Sequence, residues 1–246
     1  MRLPLPTDYT VHTFLIPSKK EMKRFRPFTV KENKALLTAQ SVDDIATMTE
    51  TLKLVVQQCC LDEIDVDTLA TFDLEYLLVK LRAISVASES YVTVVCSDPH
   101  EGFEQATRET DIVIDLNKVE VVGLDNYTQK IRLSDSMVVI MKSPSADILG
   151  KLIATDSDHY EQYFENAIHN MLVSIDKICT EDEVFDADDL GERELREWLE
   201  SLTQDMFEKL YHYFESFPHC RIKLEWTCPH CGKRNVSFVQ GLSYFF

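Results

Sequence analysis

Near the C-terminal end, Cys228-Pro-His-Cys231-Gly232 follows the alternating run Cys220–Trp226 and precedes a second strand-like run, Val236–Val239. Strand, C-P-x-C-G, strand is the pattern of half a zinc ribbon. Two thiolates separated by two residues can reach one metal because the turn folds the second back beside the first. The glycine supplies a left-handed backbone that aims N–H groups at sulfur. Tetrahedral zinc needs further ligands, and the candidates are His219, Cys220 and, far away in sequence, Cys96, which forms C-x3-H with His100. His230 lies inside the turn itself. Three readings stay open: a structural zinc held by Cys228 and Cys231, a metal-free hairpin, and a redox dithiol. The redox motif normally opens a helix, whereas here a glycine and a strand follow.

The chain offers little other recognisable chemistry. It has seven cysteines, an odd number in a long chain, which favours reduced thiols or a metal site over a disulfide framework. Adjacent Cys59 and Cys60 are poorly placed to share one tetrahedral ion and read as small hydrophobes. No nucleotide-binding glycine loop, P-loop, H-E-x-x-H or G-x-S-x-G occurs. Asp135, Asp156 and Asp158 are loose carboxylates without a paired spacing. Asp186-x-Asp188-Asp189 lacks the glycine and terminal glutamate of a calcium loop. The chain is therefore expected to be no enzyme: no catalytic residue is assigned, and the only candidate cofactor is structural zinc. A hydrolase whose site no motif reveals is a weaker alternative.

Charge is unevenly distributed. The 246 residues carry a formal charge of -17, which argues against general binding to nucleic acid, because phosphates would be repelled. Against that background, residues 19–34 hold seven basic and two acidic side chains. Lys19, Lys20, Lys23, Arg24 and Arg26 read either as a solvated hairpin or as a docking patch for an acidic partner. Residues 181–200 reverse the balance, with ten acidic and two basic. At the very end, Phe245 and Phe246 would leave a large apolar area in water. They are expected to pack back on the chain or to insert into a partner. No apolar run approaches the ~20 residues of a membrane span, and the start has no signal-peptide core, so the chain reads as soluble and made inside a cell.

The elements that must carry these residues follow from periodicity. Tyr9–Phe28 reads as two strands about a Pro17–Lys20 turn, and Thr29 with Glu32 forms a partial capping box for a helix from Val30. Asp43–Cys60 and Thr68–Ser85 read as a helix pair, the first with Ser41 as a plausible cap. Residues 91–143 then turn β-rich and predict one antiparallel sheet of three to five strands. No crossover helices interrupt them, which excludes a doubly wound fold. A helix over Tyr160–Cys179 follows, capped by Asp156 or Ser157. Another runs from Gly191, with a break at Leu202-Thr203, and ends before Pro218. The expected fold is α+β: an N-terminal β-hairpin plus helix pair, a middle antiparallel sheet, and C-terminal helices ending in a zinc-ribbon-like hairpin. The expected segments are 1–90, 91–145, 146–218 and 219–246.

Several stretches carry a family resemblance. They are FLIPSKKEMKRFRPFTVKENKALL, ATFDLEYLLVKLRAIS, DIVIDLNKVEVV with KIRLSDSMVVIMKSPS, and WLESLTQDMFEKLYHYFESFP with WTCPHCGKRNVSFVQGLSYFF. From about residue 12 to 246 the chain resembles the baseplate hub assembly proteins of T4-like, contractile-tailed phages. The family pattern carries further cysteines in the middle β region, where this chain has Cys96 alone. The resemblance implies a non-enzymatic late protein that acts in building the baseplate hub, as component or assembly chaperone. Its partners would be hub proteins of the phage tail, with self-association a further option. Its location would be the host cytoplasm during assembly and the virion tail baseplate if it is retained. The alternative is a zinc-ribbon nucleic-acid or transcription accessory module, supported only by Lys223, Lys233 and Arg234 around the knuckle.

Overall fold

A computed structural model of the chain describes residues 8–40, 45–98, 108–143 and 160–241. Helices and antiparallel sheets are mixed, and two compact units form. The first comprises the described residues up to Val122 together with those from His219 onward; the second is Gly123–Pro218. The β-rich stretch 91–145 is thus divided between units, and the C-terminal hairpin belongs to the first.

The first unit opens with strands β1 (His12–Ile16) and β2 (Glu21–Phe25), paired antiparallel with Ile16 opposite Glu21. Pro17–Lys20 makes the turn, closed by the Lys20 N–H on the Ile16 carbonyl at 2.8 Å. Lys20 takes a left-handed backbone, φ 54°, unusual for a residue with a Cβ. Helices α1 (Val30–Gln40), α2 (Ile45–Cys59) and α3 (Thr71–Ser85) follow. The expected start of α2 at Asp43 and its cap at Ser41 lie outside the described residues.

The entry to α1 is built around one buried carboxylate. Glu32 accepts the Thr29 N–H at 2.6 Å, half of the expected capping box. It also receives both guanidinium nitrogens of Arg26, at 2.6 and 3.0 Å. Burial opposes the Glu32 charge, but Arg26 and Thr29 outweigh it and hold the carboxyl below its usual range. Arg26 reaches on to the carbonyls of Pro27 and Gln58, each at 2.9 Å, so it joins the hairpin to α1 and α2.

Helix α3 is buried on two faces. Leu74, Leu77, Leu78 and Leu81 pack with Ile16, Phe25, Leu36, Val55, Val56 and Cys59. Val79 and Ala83 pack instead with a second cluster: Val92, Val94, Ile114, Leu116, Ile222, Trp226 and Val239. That second cluster is covered by strands β3 (Glu89–Val95) and β4 (Glu109–Asp115), paired with each other, and by a three-stranded sheet. The latter has β10 (His219–Thr227) between β11 (Arg234–Gln240) and β5 (Glu120–Val122). Val121 lies opposite Cys220, and Trp226 opposite Asn235.

The second unit carries a four-stranded antiparallel sheet in the order β6 (Lys130–Arg132), β7 (Met137–Met141), β8 (Ile175–Thr180), β9 (Val184–Asp186). Helices α4 (Tyr160–Ser174), α5 (Glu192–Glu200) and α6 (Gln204–Glu215) accompany it. Gly123 adopts φ 87°, and a Cβ there would meet the Ser216 carbonyl oxygen at 3.2 Å and Pro218 Cα at 3.3 Å. The residue that opens this unit thus needs to be a glycine against the residue that closes it.

Two expectations are corrected. The strands between 91 and 143 do not form one sheet: they are shared among three, because β5 pairs with β10 and β7 with β8. The helix expected through Cys179 ends at Ser174, and Ile175–Thr180 is a strand. Ile175, Ile178 and Cys179 fit helical spacing, but the backbone of Met137–Met141 requires a second strand neighbour. A register shift at Ile140/Met141 lets β8 bury Ile175 and Ile178, three apart, in a strand. The expected caps Asp156 and Ser157 lie outside the described residues.

Two outcomes follow for the first unit. Arg26→Ala leaves the buried Glu32 carboxylate without its cation, and should lower unfolding free energy by on the order of 3 kcal/mol in urea titration. The second concerns Glu75 on α3, half-buried against the Cys220 N–H at 3.3 Å. Burial lifts its carboxyl from 4.5 to about 7. A carboxyl whose folded pKa is raised stabilises the fold fully below pH 4.5, and that contribution is lost as pH rises through about 7. Stability should fall by roughly 1–3 kcal/mol over that window, and Glu75→Gln should flatten the slope.

Candidate metal centre and basic hairpin

The turn between β10 and β11 holds Cys228 and Cys231. The Cys228 N–H donates to the Lys233 carbonyl and the Gly232 N–H to the Cys228 carbonyl, both at 2.9 Å. Gly232 has φ 73°, the left-handed backbone expected from the C-P-x-C-G pattern. This geometry turns amides inward: the N–H groups of Cys231 and His230 point at the Cys228 sulfur, and that of Lys233 at Cys231. Burial opposes the Cys228 thiolate, yet these amides and the neighbouring thiols outweigh it and lower its pKa.

A third thiol arrives from elsewhere in the chain. Cys96, just past β3 and fully buried, has its Sγ 3.7 Å from that of Cys231. The Sγ atoms of Cys96, Cys228 and Cys231 all lie within 4.8 Å of one another. The Asp98 N–H points at the Cys96 sulfur at 3.4 Å.

Asn235 on β11 fixes this approach. Its Oδ1 accepts the Ser97 N–H at 3.1 Å and the Ser97 hydroxyl at 2.8 Å. Its Nδ2 donates to the Lys233 carbonyl at 3.0 Å and lies 3.5 Å from the Cys96 sulfur. Arg108 holds the Cys96 carbonyl from the β4 side with Nε at 3.1 Å and a terminal nitrogen at 2.8 Å. No motif marks Asn235; only its position opposite Trp226 in the ladder brings it here.

The other candidate ligands lie elsewhere. His219 and Cys220 start β10, whereas Cys228 follows its far end, and an extended strand of nine residues separates the two places by roughly 25 Å or more. Cys220 packs beside α3, its thiol 3.6 Å from the Phe72 carbonyl, and burial raises its pKa. His100 lies outside the described residues. Burial pushes the Cys59 thiol up to about 12, in keeping with its reading as a small hydrophobe.

The basic hairpin is more tied to its own chain than its composition implied. Arg24 donates two guanidinium N–H groups to Asp62 Oδ1, at 2.6 and 3.0 Å. Lys23 lies 3.3 Å from Glu21, and Lys19 reaches the Thr68 hydroxyl at 2.6 Å. Arg26 is the one residue of this group whose position is at odds with a freely available cation, since it serves Glu32 below the surface. Leu15 and Met22, opposite each other in the hairpin, are exposed apolar neighbours of the basic residues. Phe245 and Phe246 lie outside the described residues. In the acidic run, Asp186 pairs with Lys177, and Asp188 with Lys142 at 3.0 Å. Among the described residues, no helix is long and apolar enough to cross a membrane.

No curated protein and no solved structure matches the chain. A family model does, that of the T4 bacteriophage base plate protein, and it matches residues 8–246. That span takes in both structural units and the cysteine turn, so the chain belongs to this family of phage baseplate proteins.

Proposed function

We propose that the protein acts without catalysis in assembly of the baseplate hub, as a hub component or as a chaperone that delivers one. The observation that carries this reading is the family match across nearly the whole chain. Two surface features support a docking role. The N-terminal hairpin presents Lys19 and Lys20 beside exposed Leu15 and Met22, a mixed apolar and basic surface. The acidic segment 181–200 offers charge of the opposite sign, suited to a basic partner or to a second copy of the chain. Hub proteins of the tail are the proposed partners, and assembly in the host cytoplasm is the proposed setting.

Deleting the coding sequence from a phage that carries it should abolish complete baseplates; a full yield of them would overturn the reading. Mass spectrometry of purified particles then separates the two roles: a component remains at fixed stoichiometry, whereas a chaperone is absent. At the hairpin, Lys19→Glu/Lys20→Glu should weaken binding to hub proteins by roughly tenfold at physiological salt. The melting temperature should stay near that of the parent protein, because neither lysine is buried. Unchanged binding would remove the hairpin from the interface.

A further inference from the structure

We propose that Cys96, Cys228 and Cys231 together hold one zinc ion that clips the β3–β4 hairpin to the β10–β11 hairpin. The three sulfurs lie within 4.8 Å of one another although Cys96 and Cys231 stand 135 residues apart. Zn–S bonds of about 2.3 Å in a tetrahedron place sulfurs about 3.8 Å apart. The Cys96–Cys231 separation is 3.7 Å, which matches thiolates on a shared ion and far exceeds a disulfide bond of about 2.05 Å.

Buried thiols that merely fill space need no hydrogen-bond donors. Here each of the three sulfurs receives a backbone N–H: Asp98 at Cys96, Cys231 and His230 at Cys228, and Lys233 at Cys231. The Asn235 Nδ2 adds a further donor at Cys96. Convergent N–H groups stabilise negative sulfur, the form a metal ligates. All-sulfur ligation selects a soft or borderline cation and disfavours magnesium or calcium. The ion stays divalent throughout. Each Zn–S bond replaces an S–H bond, and its proton passes to solvent. Among the described residues, these three cysteines are the protein's ligands, and a further ligand completes the tetrahedron.

This site differs from one drawn from the C-terminal tail alone, because neither His219 nor Cys220 belongs to it. The remaining cysteines, Cys59, Cys60, Cys179 and Cys220, should be bystanders.

The full chain, purified under a phosphine reductant and freed of metal, would be titrated with Co2+ and then Zn2+. One equivalent of Co2+ should give visible bands of a tetrahedral site and sulfur-to-cobalt charge transfer of three-thiolate intensity. One equivalent of Zn2+ should bleach both. In the zinc-loaded protein, Cys96, Cys228 and Cys231 should resist iodoacetamide as read by peptide mass spectrometry, and a chelator should expose all three and lower the melting temperature. Cys96→Ser should reduce the charge-transfer intensity by about a third or abolish binding, whereas Cys220→Ala and Cys179→Ser should leave it unchanged. The wild-type titration decides the matter even where a serine variant fails to fold. Absence of charge transfer, a disulfide joining any two of the three thiols under reductant, or undiminished charge-transfer intensity in Cys96→Ser would overturn the proposal.

Discussion

Helix α3 has no solvent side broad enough to let it stand alone, and the first unit is arranged around that fact. Leucines at 74, 77, 78 and 81 need the N-terminal hairpin with α1 and α2; Val79 and Ala83 need the strands that lie C-terminal to them. A helix apolar around most of its circumference is stable only inside a protein. Its start is pinned by Asp73, itself fully buried, which accepts the Ala70 N–H at 3.1 Å and the Ser18 N–H at 2.9 Å, and also takes the Ser18 hydroxyl. The hairpin turn and the first turn of the helix are therefore set by one carboxylate.

The second face of α3 is completed late in the chain. Cys220, Ile222, Trp226, Cys228 and Val239 fill a cluster whose other buried members end at Val119. Until β10 pairs with β5 and β11, Val79, Ile114 and Leu116 lack cover. The whole second unit intervenes in sequence, leaving at Val122 and returning at His219, which are register partners. Such a closure costs loop entropy, and contacts of long sequence separation must offset it. Asn235 and the cysteine cluster supply contacts of this kind between two hairpins, as do Glu75 and Cys220 between helix and strand.

The charge pattern acquires different meanings at different depths. Arg26 and Glu32 are structural, since removing either would leave the other ionised below the surface. Arg24 with Asp62 is an exposed pair, worth little to stability. Composition alone weights these arginines equally. Burial separates them: Arg26 is committed to Glu32 below the surface, whereas Arg24 stays at it, as do Lys19 and Lys20 of the turn.

Local features were legible directly: the hairpin around Pro17–Lys20, the capping of α1 by Thr29 and Glu32, the break before α6 and the knuckle at Cys228–Cys231. Each depends on neighbours within a few residues, where propensity and turn chemistry act. The family resemblance was legible too, because it rests on the order of such pieces along the chain. Pairing was not. Ile175–Thr180 has a spacing that suits a helix, and only the open side of β7 makes it a strand. The strands from 91 to 143 separate into three sheets because two of their partners, β8 and β10, lie beyond them in sequence. For the same reason Cys96 was only a remote candidate beside Cys228 and Cys231, whereas Cys220 looked closer. Extended backbone carries Cys220 away from the knuckle, and tertiary closure brings Cys96 to it.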